Sequence, residues 1–341
     1  MKKTTPNSDE LVIGSHTIKR GESRKIDLPT VRLYTDTNMS IPIFVKRGKK
    51  PGPTVFVSSA IHGDELNGIE IISRLVNSKA INSLRGTLIA APMVNGYGVL
   101  NQSRYLPDRR DLNRSFPGSA KGSLAGRIAH QFMKEVVEKS DFGIDLHTGA
   151  IHRSNLPQIR ANLDDPVTFE MARAFGVPVL MNANLRDGSL RQAADEQGIP
   201  MLLYEAGQAL RFDELSIKVG FKGILNVLRY LKMLPKVKPR KTADVEPFVA
   251  RNSGWVRATD SGFVIHKKEL GDRVKEGDVL AEIKKPLGEV SAQVRSHADG
   301  IIIGKQNIPL VQEGEAVYHI AYFNRPRKVE ASIETMQDNF E

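Results

Sequence analysis

The sequence predicts an α/β protein with a smaller all-β domain towards its C-terminal end. Three observations predict it. Between residues 54 and 232, short apolar runs alternate with amphipathic helical patterns. Helical periodicity stops after Leu234. A weak two-fold repeat then follows, beginning at Gly262 and again at Gly300.

The apolar runs TVFVSSA (54–60), TLIAAPMVN (87–95), FGIDLH (142–147), VPVLMN (177–182) and MLLYEAG (201–207) read as buried strands. They are rich in β-branched and apolar residues, with Gly and Pro as punctuation. Helical patterns fall between them at about 66–78, 122–139, 165–175, 189–197 and 214–232. Such alternation predicts a largely parallel sheet whose right-handed crossovers cover both faces. Ligands of such sheets gather at the carboxyl ends of the strands. Residues 1–50 are expected to be a β-rich segment joining this domain, with YTDTNMSIPIFVKRG as a hairpin. The expected organisation is an α/β domain over 51–235, a linker over 236–249, a β-rich domain over 250–328 and a flexible tail over 329–341.

Each half of the repeat has a glycine, an apolar strand, a polar stretch, an acidic turn and a second apolar strand. The turns Glu276-Gly277-Asp278 and Glu313-Gly314-Glu315 occupy matching places. The module resembles a lipoyl or biotinyl hammerhead over roughly residues 255–322. Those carriers place a modifiable lysine at a hairpin tip. Here the tip reads KKPLGEVS, with Leu287 at that place, so an unmodified β module is expected.

Composition narrows the chemistry. There are no cysteines among the 341 residues, which excludes disulfides, thiolate metal sites and a cysteine nucleophile. Any metal must be held by His, Asp or Glu, and there are eight histidines. MKKTTPNSDE has no apolar run behind its lysines, and no segment approaches the roughly 18 apolar residues of a membrane span. A soluble, cytoplasmic protein without membrane partners is expected. The net charge of +10 raises nucleic acid, but the basic residues are dispersed and no aromatic-basic pattern accompanies them. No nucleic-acid partner is expected. The densest basic run, KVKPRK (236–241), reads as a solvated linker or as a polyanion contact. A basic field that attracts carboxylate substrates fits the charge equally. The sequence leaves a homo-oligomer open.

In SSAIHGDELNG (58–68), His62 and Glu65 follow a strand, with Gly63 and Gly68 permitting a tight turn. The pair can converge on one cation, although capping groups in a polar turn have the same pattern. FGIDLHTG supplies His147 at a second strand end, and Asp145 lies two residues earlier on the same face. Asp145 either orients a ligand imidazole or is a structural acceptor. His152 is a rival ligand in the following loop. A third strand end carries Glu205, and a buried carboxylate there is costly unless paired or in use. It suits a general base, or an ion pair with one of the many arginines. In SRYLPDRRDLNRSFPG, an asparagine-arginine pair can hold a carboxylate and a further arginine an oxyanion.

HGDE, RY…DLNR, DLHTG and YEAGQ, in this order over about residues 50–235, resemble the succinylglutamate desuccinylase/aspartoacylase family, a branch of the zinc carboxypeptidase superfamily. The resemblance implies a three-layer α/β/α mixed sheet, zinc-carboxypeptidase-like and with some antiparallel strands, plus a β-rich C-terminal domain. It implies one Zn2+ per chain on His62, Glu65 and His147, and Glu205 as catalytic acid/base. It places Asn113 and Arg114 on the substrate carboxylate. The RY pairing favours Arg104 for the oxyanion, with Arg110 as rival because two extra residues separate RY from DLNR. The expected activity is hydrolysis of an amide in an N-acyl amino acid, a small carboxylate substrate. The competing readings are a carboxypeptidase acting on peptides, a carrier-like module and a non-catalytic metal-binding protein.

Overall fold

The computed structural model describes residues 10–237 and 245–340. Residues 238–241 of KVKPRK therefore lie outside the described residues. The chain opens with β1 (Glu10–Ile13), β2 (His16–Lys19), β3 (Ser23–Arg32) and β4 (Asn38–Arg47). β3 and β4 pair antiparallel and extend the edge of the main sheet, so YTDTNMSIPIFVKRG is not a hairpin in itself but supplies the turn and second strand of one whose first strand precedes it.

The α/β region then runs β5 (Lys50–Ser59), α1 (Asn67–Asn77), β6 (Arg85–Ala91), α2 (Gly96–Leu100) and α3 (Leu124–Phe132). A π-helical turn over Met133–Val137 prolongs α3. β7 (Phe142–Gly149), β8 (Arg153–Ala161), α4 (Pro166–Phe175), β9 (Val179–Asn182), α5 (Leu190–Glu196), β10 (Met201–Gln208) and α6 (Glu214–Tyr230) follow. Strands β6, β5, β7 and β10 form the parallel centre. Antiparallel strands flank it on both sides, β4 beside β6 and β8 beside β10, so the sheet is mixed.

Strand alternation builds two cores from one sheet. Val55, Val57, Ile144 and Leu146 pack with Ile71, Leu75, Ile217 and Leu228 of α1 and α6 on one face. Phe56 and Ile89 pack with Ile128, Phe132 and Leu190 of α3 and α5 on the other. This is the three-layer arrangement. The helices start where the sequence offers caps: Asp165, Ser189 and Asp213 each accept a backbone N–H of the first turn of α4, α5 and α6.

Beyond the linker lie β11 (Phe248–Ala250), β12 (Asn252–Arg257), β13 (Gly262–His266), β14 (Arg273–Val274) and β15 (Val279–Lys284). β16 (Val290–Arg295), β17 (Gly300–Gln306), β18 (Leu310–Val311), β19 (Ala316–Tyr322) and α7 (Pro326–Asp338) complete the chain. Strands β16, β15, β13 and β18 form a four-stranded antiparallel sheet of their own. Leu287 stands fully exposed at the tip of the β15–β16 hairpin. The module is not a separate bead. β17 pairs antiparallel with β8, so the main sheet continues from β10 through β8 and β17 to β19 and β12. β11 pairs in parallel with β9, inside the α/β region.

The expected flexible tail over 329–341 is corrected by α7. Its Val329, Ile333 and Met336 recur at helical spacing and are all buried. Val329 and Ile333 join Leu156, Val179, Ile301 and Ile303 in a core that straddles the seam between the two regions. Among the described residues no helix is long and apolar enough to cross a membrane.

Candidate metal centre and substrate cleft

The site forms where three parallel strands end together. In register, Ser58 of β5 lies beside Asp145 of β7, and His147 of β7 lies beside Glu205 of β10. Side chains that match in register share a face, so His147, Asp145 and Glu205 project into one cleft. His62 and Glu65 arrive from the turn after β5. That turn passes so close to α2 that a Cβ on Gly63 would sit 1.9 Å from the Gly98 backbone. Only glycine fits there.

His62, Glu65 and His147 are buried, and one ligand atom from each lies within 4.8 Å of the others. Glu65 joins the two rings: Oε1 is 2.8 Å from His62 Nδ1 and Oε2 is 2.7 Å from His147 Nδ1. The Thr148 N–H also donates to Glu65 Oε2 at 3.1 Å. The outer nitrogens face carboxylates, His62 Nε2 at 3.1 Å from Asp111 and His147 Nε2 at 2.7 Å from Asp145. Ser58 donates to the other oxygen of Asp145 at 2.7 Å. Asp145 is therefore in contact with both a ring of the trio and the Ser58 hydroxyl. Two imidazoles backed by carboxylates around one inward carboxylate is a donor set that suits a divalent cation.

Electrostatics agree. Burial alone would depress His147, but Asp145 and Glu65 raise its pKa well above the ordinary histidine value. His62 is also raised, since Glu65 and Asp111 outweigh its burial. Glu65 resists burial and is held well below the usual carboxylate range by the two rings. The carboxylates around the two rings thus favour positive charge at this point, as a bound cation would supply. Asp64, between the two ligand candidates, stays outside the cluster. Its buried Oδ1 has no hydrogen-bond partner among the described residues, and burial raises its pKa. His152 sits in the β7–β8 turn with a left-handed backbone and is not in the trio.

Around the trio lies a cleft of about 640 Å³. Arg104, Asn113, Arg114 and Glu205 all line it. Arg104 donates to Asp111 Oδ2 at 2.9 Å and approaches Glu65 to 3.6 Å. Asn113 is buried, its Oδ1 accepting the Leu190 N–H at the start of α5. Arg110 does not line the cleft. Its side chain is 63% exposed beside Asp108, and the preceding residue, Arg109, has a left-handed backbone. Of the two rival arginines, the structure brings Arg104 to the cleft and leaves Arg110 outside it.

Three partners were not foreseen. Asn155 donates to Glu205 Oε1 at 2.6 Å, and Arg160 pairs with Oε2 of the same carboxylate. Both come from β8, which the sequence pattern did not reveal. Asp111 holds His62 and Arg104 together from within the DLNR segment itself. From beyond the seam, Ser253, Trp255 and His319 also line the cleft. The His319 and Trp255 rings stack with centroids 4.4 Å apart, and the Arg153 guanidinium lies 5.0 Å from the Trp255 ring.

Comparison with known proteins agrees with this architecture. The family described as "Succinylglutamate desuccinylase/Aspartoacylase catalytic domain" matches residues 51–231. The N-alpha-acetyl-L-2,4-diaminobutyric acid deacetylase of Halomonas elongata is 29% identical over 296 residues, covering 82% of this chain and 85% of its own. A succinylglutamate desuccinylase/aspartoacylase structure from Rhodobacter sphaeroides superposes with a TM-score of 0.78 at 25% identity, covering 89% of this chain and 97% of that one. The product-bound ectoine utilization protein EutE (DoeB) from Ruegeria pomeroyi shares the fold, with a TM-score of 0.80 at 23% identity over 92% of this chain and 99% of that one. With its catalytic-domain match spanning more than half the sequence, the chain belongs to the succinylglutamate desuccinylase/aspartoacylase family.

Proposed function

We propose that this protein is a zinc-dependent hydrolase that cleaves the amide bond of an N-acyl amino acid, consuming water and releasing a carboxylic acid and a free amino acid. One observation carries the reading. A buried His62–Glu65–His147 donor set shares its cleft with a separate carboxylate, Glu205, one strand away. The deacetylase relative, whose name specifies an N-acetylated amino acid, supports the same reaction class.

A zinc ion on His62, Glu65 and His147 would supply Lewis acidity towards the acyl carbonyl and lower the pKa of water. The remaining work falls to the chain. Glu205 accepts the proton of the attacking water and delivers it to the departing amine. Asn155 and Arg160 hold the two oxygens of Glu205 and fix its place in the cleft. Arg104, held by Asp111, stabilises the oxyanion. Asn113 and Arg114 hold the carboxylate of the amino-acid part. Ser253, Trp255 and His319 wall one side of the cleft, which favours a compact substrate over an extended peptide. Leu287 at the hairpin tip leaves a carrier no lysine there to modify.

The test combines metal analysis with a substrate screen. Purified protein should contain about one zinc per chain and hydrolyse at least one of a series of N-acetyl, N-succinyl and N-formyl amino acids. Wild-type zinc content in a His62→Ala, His147→Ala double variant would refute the metal site. Preference for short peptides would refute the substrate class.

A further inference from the structure

At the far end of the same sheet, three loops surround a second cavity, of about 570 Å³. The β4–β5 turn, the segment leading into β6 and the chain leaving α6 build its walls, and Gly21 of the β2–β3 turn also lines it. Backbone hydrogen bonds tie them together: Gly21 N to Arg47 O at 3.0 Å, Gly48 N to Gly86 O at 2.8 Å and Arg85 N to Met233 O at 2.8 Å. The cavity is therefore a fixed concavity between tied loops.

Its lining is of one sign. Arg47, Arg85, Arg229 and five lysines drawn from two of the three loops line it, and among the described residues no acidic side chain does. Among the described residues, neither Arg85, Arg229 nor any of those lysines has a carboxylate within ion-pair distance. Arg229 is half-buried and holds its guanidinium against Asn226 Oδ1 at 3.1 Å. The carboxyl end of α6 points here, but a helix terminus offers only about half a negative charge. Even without Arg47, the two other arginines and five lysines outweigh that and leave a strongly positive concavity. Such a cleft concentrates anions.

The lining also selects among anions. It contains no aromatic residue, so it offers no platform for stacking a base. It is a compact hollow and not a stripe that could track a nucleic-acid backbone. Arginine forks and lysine ammoniums at close range suit phosphate oxygens. We infer that this cavity is a second binding site, for a compact oxyanion carrying several charges, of the polyphosphate type. It lies at the amino ends of β5 and β6, about 30 Å along β5 from the metal centre, given some 3.3 Å per residue. It is independent of the substrate cleft and of its chemistry.

Calorimetric titration of the full-length, metal-loaded protein with tripolyphosphate, at constant ionic strength set with chloride, tests the site. One ion should bind per chain. A Lys49→Glu, Arg85→Glu, Lys232→Glu variant alters exposed side chains only, and it should bind at least tenfold more weakly with an unchanged melting temperature. A Lys49→Arg, Lys232→Arg variant should bind as the wild type does. ATP, which presents the same phosphate chain, should compete. No saturable binding, equal affinity in the charge-reversed variant, or binding of ATP without tripolyphosphate would each overturn the proposal.

Discussion

The parallel centre and the seam beside it both contribute to one cleft, and they do so by opposite means. At the centre, β5, β7 and β10 run in parallel and deliver His62, Glu65, His147 and Glu205 from neighbouring strand ends. The groups are close in space because adjacent parallel strands end on the same side. At the seam, antiparallel strands lay residues out in a row. Asn155 of β8 matches Gly304 of β17, Gly304 matches His319 of β19, and His319 matches Trp255 of β12. Here position depends on register, not on strand ends. The first arrangement gathers reactive groups at a point, and the second spreads a wall across about four strands. A one-residue slip at the seam would turn the whole wall to the other face.

The sharpest way to test that division is at the centre. Glu205→Gln should lower kcat by about 10²–10⁴ while leaving the zinc content unchanged. Loss of metal with the proton acceptor would mean that Glu205 is a ligand and not a base. The next test crosses to the seam. Asn155→Ala leaves Glu205 in place but frees one of its oxygens, and a misplaced base should cost up to about 10² in kcat with little change in KM. An unchanged kcat would break the link between the seam and the chemistry.

Stability distinguishes the regions differently. Ile333→Ala removes a buried side chain from the core that α7 shares with β8, β9 and β17, and should cost about 2–5 kcal/mol. Because that core spans both regions, thermal unfolding should stay a single transition at a lower temperature. Two separated transitions would show the regions to be independent. The last effect is electrostatic and appears only as the pH is lowered. Burial, with Arg160 and Arg153 nearby, pulls His319 down to about 3. Its folded value lies below the unfolded value of about 6.5, so the unfolded chain takes up the proton first as pH falls. His319 therefore contributes a loss of stability between about pH 6.5 and 3, at most about 1.4 kcal/mol per pH unit. His319→Gln should flatten the melting temperature over that window, and an equally steep decline in the variant would place the acid sensitivity elsewhere.

The same contrast explains what was legible in the sequence. β5, β7 and β10 are buried on both faces, so they read as apolar runs, and polar residues at their ends stand out. β8 reads RSNLPQIRA because one of its faces is the floor of the cleft and carries Asn155 and Arg160. Pro157 disguises it further, in a stretch where the register with β10 shifts between Gln158 and Asn155. Its pairing with β17 joins residues some 150 positions apart, and no local pattern encodes that. The α7 spacing of Val329, Ile333 and Met336 was readable in principle, but the charged residues around it resemble a solvated tail. The RY pairing favours Arg104 over Arg110 but cannot separate them by place, and only the fold puts one in the cleft and the other outside it.

Gly304 makes the seam a constraint on ancestry. A Cβ there would lie 2.9 Å from Asn155 Oδ1 and 3.0 Å from the His319 Cβ, so a side chain at that point would displace the Asn155 amide that holds Glu205. The repeat in the C-terminal sequence invites comparison with a cassette, a unit that recombination could exchange between proteins. A graft carrying any larger residue in that place would push Asn155 away from Glu205 even if the graft folded perfectly. The two regions can therefore diverge in sequence, but they have to be inherited as a matched pair.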